Sequence, residues 1–390
     1  LHYKQKHIYI GVDLHKNHHT AVIIDCWHEK LGEIKFENKP SAFPALLKEV
    51  KKHTKKGITP IYGLEDVGGY GRSLAVFLIE NNQIVKEVNS ALSFAERKSY
   101  PTIKKSDSWD AYTVAYVLLN KLDILPDANP HDLYWAIGQL VTRRNGLVKA
   151  LTALKNQLHI QLSYHYPSYK KFFSEIDGKT ALAFFQKYPA PHTLKGISIN
   201  KLTAFLLEAS NNSVSKRKAK EILSLITADG DTKREYQEHR DFLVKSLVRD
   251  IEFKKQEIEH VEEELILLMD KLDYKLDTMP GIDLVTASAL VAEIGDIRRF
   301  PNPDKLARFA GIAPVNFSSG GKGKDKKSKQ GNRTLHGLFY FLAVQQVQIS
   351  KGSKNLETLY FYEYYQRKLK EGDSDSSYIP YVFLCILTIR

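Results

Sequence analysis

Four carboxylates stand where secondary-structure elements should begin or end, and that placement is the first sign of chemistry. Asp13 closes the strand-like stretch IYIGVDLHK at 8–16, in which Ile8, Ile10 and Val12 share one face at a period of two. Asp13 falls on the opposite face. Glu65 follows the strand-like run 59–64, with Asp66 beside it as the alternative. Asp107 and Asp110 sit three apart at the start of a helical pattern and so share a helix face. An acid on a core strand is costly to bury unless something cationic pairs with it. Four converging acids would repel one another, and two divalent cations would relieve that repulsion. Oxygen-only ligands select Mg2+ or Mn2+. Two such ions can stabilise both oxygens of an in-line phosphoryl displacement. Each acid also has a plainer reading: Asp107 and Asp110 could complement a helix dipole, and Asp13 or Glu65 could be a surface residue.

A second chemistry is written in FSSGGKGKDKKSK at 317–329. Lys322, Lys324, Lys326 and Lys327 make it strongly cationic, and Arg333 follows at the next helix. Composition reads it as a small, flexible loop that contacts phosphate. Ser318 or Ser319, beside Gly320, could also be a nucleophile if a metal or a lysine lowered the cost of the alkoxide. Serine–glycine loops are usually only loops.

The elements that must position these residues follow from periodicity. Strands are expected at 8–13, 20–24 and 31–36, close enough in sequence for an antiparallel meander. Ser41 reads as the cap of a helix with Phe43, Leu46, Leu47 and Val50 on one face. A strand at 59–64, a helix at 72–80 and a strand at 84–88 come next. Gly68, Gly69 and Gly71 lack the lysine and hydroxyl of a phosphate loop and read as a turn with close backbone approach. The segment 95–105 is basic and interrupted by Pro101, and Ser106 reads as the N-cap of a helix over 107–122. The order βββαβαβα is that of an RNase H-like domain. There the first and fourth strands are neighbours, so Asp13 and Glu65 should meet, and the last helix should bring Asp107 and Asp110 to the same pocket.

Beyond Pro126 and Pro130 the pattern turns helical. Two long helices, 134–164 and 231–272, enclose a smaller region broken by Pro167, Pro189 and Pro191. They suggest a helical hairpin or coiled-coil arm. Arg143 and Arg144 lie on the first helix and are candidate nucleic-acid contacts. Tyr164, Tyr166, Tyr169, Phe172 and Phe173 stand among lysines, which suits either base stacking or an ordinary core. Lys216, Arg217, Lys218 and Lys220 form a second basic cluster. From Met279, a Pro-Gly-Ile turn, a helix at 284–294, Gly295-Asp296 and a helix at 304–309 resemble a helix-hairpin-helix, whose backbone amides contact phosphate. The expected architecture is α/β plus all-α. Residues 1–125 form an RNase H-like domain, 126–272 the helical arm with its insert, and 273–390 a mostly helical C-terminal domain.

The totals agree. A chain of 390 residues is too long for one ordinary core. A net charge of +12 points to a polyanionic partner, nucleic acid before membrane. Cys26 and Cys385 make neither a disulfide framework nor a zinc pattern, which fits a reducing cytoplasm. No signal-peptide pattern precedes Ile8, and the apolar run 381–389 is too short to span a bilayer.

Six motifs in order carry a resemblance that covers roughly residues 7–350. They are GVDLHK at 11–16, GLEDVGGYG at 63–71, KKSDSWDAYTVA at 104–115, MPGIDLVTASALVAEIGD at 279–296, LARFAGIAPVNFSSG at 306–320 and SKQGNRTLHGLFY at 328–340. The chain resembles the DEDD transposases of the insertion-sequence family numbered one hundred and ten, also called bridge-RNA-guided serine recombinases. The resemblance implies a RuvC-like first domain with Asp13, Glu65, Asp107 and Asp110 as a magnesium-binding tetrad. It implies a nucleophilic serine in the C-terminal domain, best matched by Ser319, that forms a covalent phosphoserine link to DNA. It further implies donor and target DNA as substrates and a structured non-coding guide RNA. A homo-oligomer, dimer or tetramer, would assemble through the arm, and the setting would be the bacterial cytoplasm at the nucleoid. His336 stands where the family usually has arginine, and the segment after 350 matches little. A plain two-metal nuclease of the junction-resolvase type shares the tetrad without the serine. A nucleic-acid-binding protein with a decayed site is the non-catalytic alternative.

Overall fold

A computed structural model of the chain describes residues 2–66, 68–100, 106–272, 281–313, 315–319, 322–326 and 331–350, with isolated positions at 274, 276, 363, 366, 367 and 370. Two compact units result, Leu1–Trp135 and Ala136–Arg390.

The first unit is a five-stranded sheet with helices on both faces. Strands β1 (His7–Leu14), β2 (His18–Ile24) and β3 (Lys30–Glu37) form the expected antiparallel meander. β4 (Thr59–Leu64) lies parallel to β1, and β5 (Ile84–Glu87) lies parallel to β4, so the sheet order is β3-β2-β1-β4-β5. This arrangement is consistent with an RNase H-like domain. Alternation along β1 feeds two cores. Ile8, Ile10 and Val12 pack with Phe43, Leu46 and Val50 of α1 (Phe43–His53) and Leu74, Ala75 and Leu78 of α2 (Arg72–Glu80). Tyr9 joins the opposite core, with Ala111, Val114, Ala115 and Leu118 of α4 (Asp107–Lys121). Gly11 permits this second packing, because a Cβ there would overlap Ala111 O and the Ala115 backbone.

One local expectation needs correction, and one element is unexpected. Ser41 does not cap α1. It sits inside a single 3-10 turn, Pro40–Ala42, and α1 begins after it without a side-chain cap. The basic segment before Pro101 contains a helix, α3 (Ser90–Lys98), capped by the Asn89 side chain, which accepts from Ala91 N–H. Ser106 behaves as expected: its Oγ accepts from Trp109 N–H at 3.2 Å.

In the second unit α5 (Asp132–His165) and α9 (Gln237–Met269) run antiparallel. Arg144 Nε donates to Glu262 Oε1 at 2.6 Å, while Leu158 and Leu162 share a core with Val244, Val248 and Ile251. The insert supplies α6 (Lys179–Lys187), α7 (Ile199–Ala209) and α8 (Lys216–Asp229). Its aromatics are core rather than a stacking surface. Tyr166, Tyr169 and Phe172 are buried in one cluster with Phe184 and Phe185, and of the five only Tyr164 is well exposed. A small domain has few other residues large enough to fill its interior, which explains the choice. The last helices are α10 (Leu284–Ile294), α11 (Pro303–Phe309) and α12 (Arg333–Ser350), packed through Leu290, Ile294, Leu306, Leu335, Phe339 and Leu342. Between them the expected flexible loop is instead an antiparallel hairpin, β6 (Val315–Ser319) and β7 (Lys322–Lys326). Alternating polar and small residues around Gly320-Gly321 carry that pairing despite the charge. Among the described residues no helix is long and apolar enough to cross a membrane.

Replacing Gly11 by alanine drives a methyl into the α4 backbone, which cannot move aside as a side chain can. Gly11→Ala is expected to lose about 3 kcal/mol or more in denaturant unfolding. Gly68→Ala, where a Cβ meets open space, should change stability by less than ~0.5 kcal/mol.

Candidate metal centre

The sheet register brings the first two acids together. Val12 pairs with Leu64 across the parallel β1–β4 ladder, so the next residues, Asp13 and Glu65, leave neighbouring strands side by side. The close β1–α4 packing sets the first turn of α4 over the same strand ends, and this turn carries Asp107 and Asp110. The four acids expected from the sequence therefore meet in one place, within the first unit.

They are not four bare charges. Asp13 Oδ2 lies 2.9 Å from His15 Nε2, which is also 3.7 Å from Asp107 Oδ1. The other oxygen of Asp107 accepts from Lys35 Nζ at 3.1 Å and lies 3.4 Å from His18 Nε2. Asp110 Oδ1 accepts from Arg97 at 3.2 Å, and the same guanidinium nitrogen stands 4.0 Å from Glu65 Oε1. The expectation of four unpaired acids is thus corrected, since protein cations already offset part of the repulsion. None of His15, His18, Lys35 and Arg97 was singled out from the sequence. His15 carried a usable signal, because it stands two residues after Asp13 and so continues the same strand face. Arg97 carried none: its helix is short and weakly patterned, and only the tertiary fold turns it toward the acids.

The electrostatics separate the acids into two kinds. Burial pushes the Asp13 carboxyl above its ordinary range; His15 opposes this, and Asp110 and Asp107 add to it. Burial likewise raises Glu65, opposed by a Ser93 hydrogen bond and by Arg97, and reinforced by Asp13 and Asp110. Exposed Asp107 is held below its ordinary range, chiefly by Lys35 and then His18. Glu65 Oε1 is buried without a hydrogen-bond partner. Asp66 is used differently: its two oxygens accept from Gly69 N–H at 2.7 Å and Tyr70 N–H at 2.8 Å, closing the glycine turn before α2.

A divalent cation fits this donor set. Ligand atoms of Asp13, His15 and Asp107 all lie within 4.8 Å of one another. Two desolvated carboxyls and one orphaned buried oxygen are what a cation would satisfy. The β1–β2 turn that carries His15 is itself pinned. His15 N–H donates to His19 Nδ1 at 3.3 Å, and Asn38 Nδ2 donates to the carbonyls of His15 at 3.4 Å and Lys16 at 3.2 Å.

The remaining site candidates lie in the second unit. Ser319 ends β6, paired with Lys322, the first residue of β7, and Ser318 pairs with Gly323. Lys324 pairs with Phe317 and Lys326 with Val315, whereas Lys327 lies outside the described residues. Arg333 opens α12 and is exposed, just after Asn332, whose side chain caps that helix and reaches Glu293 on α10 at 2.6 Å. Arg144 is largely buried in its ion pair with Glu262, so it serves the helical hairpin rather than an open basic surface. Arg143 is exposed, 3.6 Å from Glu257. In the helix-hairpin-helix-like segment, Gly281 and Gly295 both take positive φ at the two ends of α10, while Met279 and Pro280 lie outside the described residues.

The raised Asp13 and Glu65 carboxyls fix a sign for pH dependence. The folded protein binds these protons more tightly than the unfolded chain does. Their contribution to stability is therefore complete at acid pH and is lost as pH rises through the folded-state values. Glu65→Gln removes that loss for one group. In metal-free protein at pH 7 its melting temperature should lie above that of the wild type. The gain should shrink as pH falls through the raised folded-state value and be gone below pH 4.5, the ordinary glutamate value. Thermal melts in chelator across that range check both statements.

Comparison with known proteins finds matches toward both ends of the chain. Residues 10–167 match the DEDD transposase model of the IS110 group, described as Transposase. Residues 273–360 match the model described as Transposase IS116/IS110/IS902 family. The chain is similar to the insertion element IS116 uncharacterized 44.8 kDa protein of Streptomyces clavuligerus, at 25% identity over 94% of this chain and 89% of that protein. It is similar to the insertion element IS900 uncharacterized 42 kDa protein of Mycobacterium paratuberculosis, at 24% identity over 94% and 90%. A shorter stretch of 86 residues is 34% identical to the transposase for insertion sequence element IS1328 of Yersinia enterocolitica, covering 21% of this chain and 26% of that one. With matches at both ends of the chain and relatives along nearly all of it, the protein belongs to the IS116/IS110/IS902 family of DEDD transposases.

Proposed function

We propose that this transposase cleaves and rejoins DNA strands with two cooperating groups, a metal-binding tetrad of Asp13, Glu65, Asp107 and Asp110 and the nucleophile Ser319. Membership of the family already makes DNA the substrate and strand cleavage in transposition the reaction. The observation that carries the metal reading is Glu65 Oε1, a buried oxygen without a hydrogen-bond partner beside Asp13 and Asp110. The same comparison favours Glu65 over Asp66, whose oxygens are both occupied by the turn. The cation is Mg2+ or Mn2+. When bound it would polarise the scissile phosphate and offset charge on the entering and leaving oxygens.

The protein's own part of the reaction follows from the residues. Ser319 Oγ attacks phosphorus and loses its proton. An Oγ–P bond forms, one strand P–O bond breaks, and the departing deoxyribose oxygen takes up a proton. Rejoining is the reverse, with a second strand's hydroxyl as the attacking group. Position at the turn of a lysine-bearing hairpin supports Ser319, since the strand's phosphates must approach there. Lys322, Lys324, Lys326, Lys327 and Arg333 contact the DNA backbone, and Arg143 extends the basic surface along the arm. Residues 1–125 act as the metal domain, 126–272 as the arm through which a dimer or tetramer assembles, and 273–390 as the serine domain. A structured non-coding RNA guides the choice of donor and target DNA, and the protein works in the bacterial cytoplasm at the nucleoid.

Denaturing electrophoresis of the protein with labelled donor DNA, flanking RNA and Mg2+ tests the reading. A protease-sensitive covalent protein–DNA band is expected, abolished by Ser319→Ala and reduced at least ~100-fold by Asp13→Ala. Magnesium-dependent cutting that survives Ser319→Ala and Ser318→Ala without such a band would overturn the serine step. It would leave a two-metal nuclease of the resolvase type.

A further inference from the structure

His15 stands between two of the tetrad's carboxylates. Its ring nitrogen is 2.9 Å from Asp13 Oδ2 and 3.7 Å from Asp107 Oδ1. Two donors at right angles around one ion, each about 2.1 Å from it, are about 3.0 Å apart; at tetrahedral angles they are about 3.4 Å apart. The observed separations bracket those edges. The backbone of His15 is held at both ends, its N–H by His19 Nδ1 and its carbonyl by Asn38 Nδ2, so the ring starts from a pinned turn. His19 is itself fully buried against Phe36 and Phe43. His18 differs from His15. It reaches only Asp107, on the oxygen that Lys35 also holds, and so orients that carboxylate from outside.

We propose that His15 is a nitrogen ligand of the cation held by Asp13 and Asp107, and that this donor shifts the site's preference from Mg2+ toward Mn2+ and Co2+. The proposal rests on the metal-centre reading and goes beyond its all-oxygen tetrad. An imidazole adds little for Mg2+, a hard ion that keeps oxygen ligands and water. It adds more for transition ions, whose affinity for nitrogen rises along the first row. Glu65 and Asp110, which share Arg97, form the all-oxygen half of the centre.

The test uses the full-length protein freed of metal by chelation and titrated separately with MnCl2, CoCl2 and MgCl2. Binding is read by calorimetry, and the Mn2+ complex by pulsed electron paramagnetic resonance for coupling to a directly bound nitrogen. Wild-type protein should show that coupling, and His18→Ala should keep it. His15→Ala should lose it and bind Mn2+ and Co2+ roughly tenfold or more weakly, as even the outer partners of metal ligands cost that much. Its Mg2+ affinity should move by less than about threefold. His15→Asp, which restores an oxygen donor, should recover Mg2+ binding at least to the wild-type level without the nitrogen signal. The side chain of His15 is 48% exposed, so His15→Ala should still unfold cooperatively near the wild type in chelator, whereas His15→Asp adds a fifth acid to the cluster and should melt lower until a metal binds. Mn2+ binding that is lost in Asp13→Asn yet shows no nitrogen coupling in the wild type would overturn the proposal and leave the metal centre standing. So would coupling that persists in His15→Ala. No saturable binding of any of the three ions by the wild type would overturn both.

Discussion

Helix α4 lies so close to strand β1 that residue 11 has room for no side chain. That approach is the constraint on which the acid cluster at the strand ends depends. It presses Ala111 and Ala115 onto the strand and fixes the height and direction of the helix. The first turn of α4 then overhangs the strand ends, and its two aspartates come to the acids of β1 and β4. Small residues on both sides of the contact exchange packed volume for proximity, a use of glycine distinct from its backbone freedom.

The same crowding creates an electrostatic problem. Carboxyls on adjoining strand ends are partly desolvated and feel one another, so Asp13 and Glu65 both hold their protons more tightly than usual. The protein answers with partners from four different elements: the imidazoles of His15 from the turn after β1 and His18 from β2, and the cations Lys35 from β3 and Arg97 from α3. Such partners hold the acids in place across four elements of the fold.

The second unit solves a different problem, that of length. Two helices of more than thirty residues cannot be stabilised by propensity alone, and their packing against each other and against an aromatic-rich insert supplies the rest. Ion pairs from Arg144 to Glu262 and from Lys155 to Asp177 fix the register of that packing. Charges that read as a nucleic-acid surface in one dimension are thereby partly consumed by the fold. Beyond the arm, the serine-bearing segment is held as a hairpin between α11 and α12, which gives a short polar stretch a defined backbone.

Much of this was legible in the chain itself. Period-two alternation over 8–13, the strand-like run 59–64, the apolar face of α1, the Ser106 cap and the long helical periodicity each report a local preference that tertiary packing did not override. The four acids were visible for the same reason, because acids at element ends are conspicuous against apolar runs. What the sequence could not carry was anything decided by approach from a distance. It held no sign that Arg97 would turn toward Glu65 and Asp110, since α3 is short and packs on α4, and that packing is fixed only by the fold. It left Glu65 and Asp66 equivalent, and only the turn's two backbone donors distinguish them. It showed lysines and glycines where the backbone pairs as a hairpin, because cross-strand hydrogen bonds leave little trace in composition. Local patterning determined which elements form and which residue types they present. The packing of α4 on β1, a contact between residues a hundred positions apart, decided which of those residues share a site.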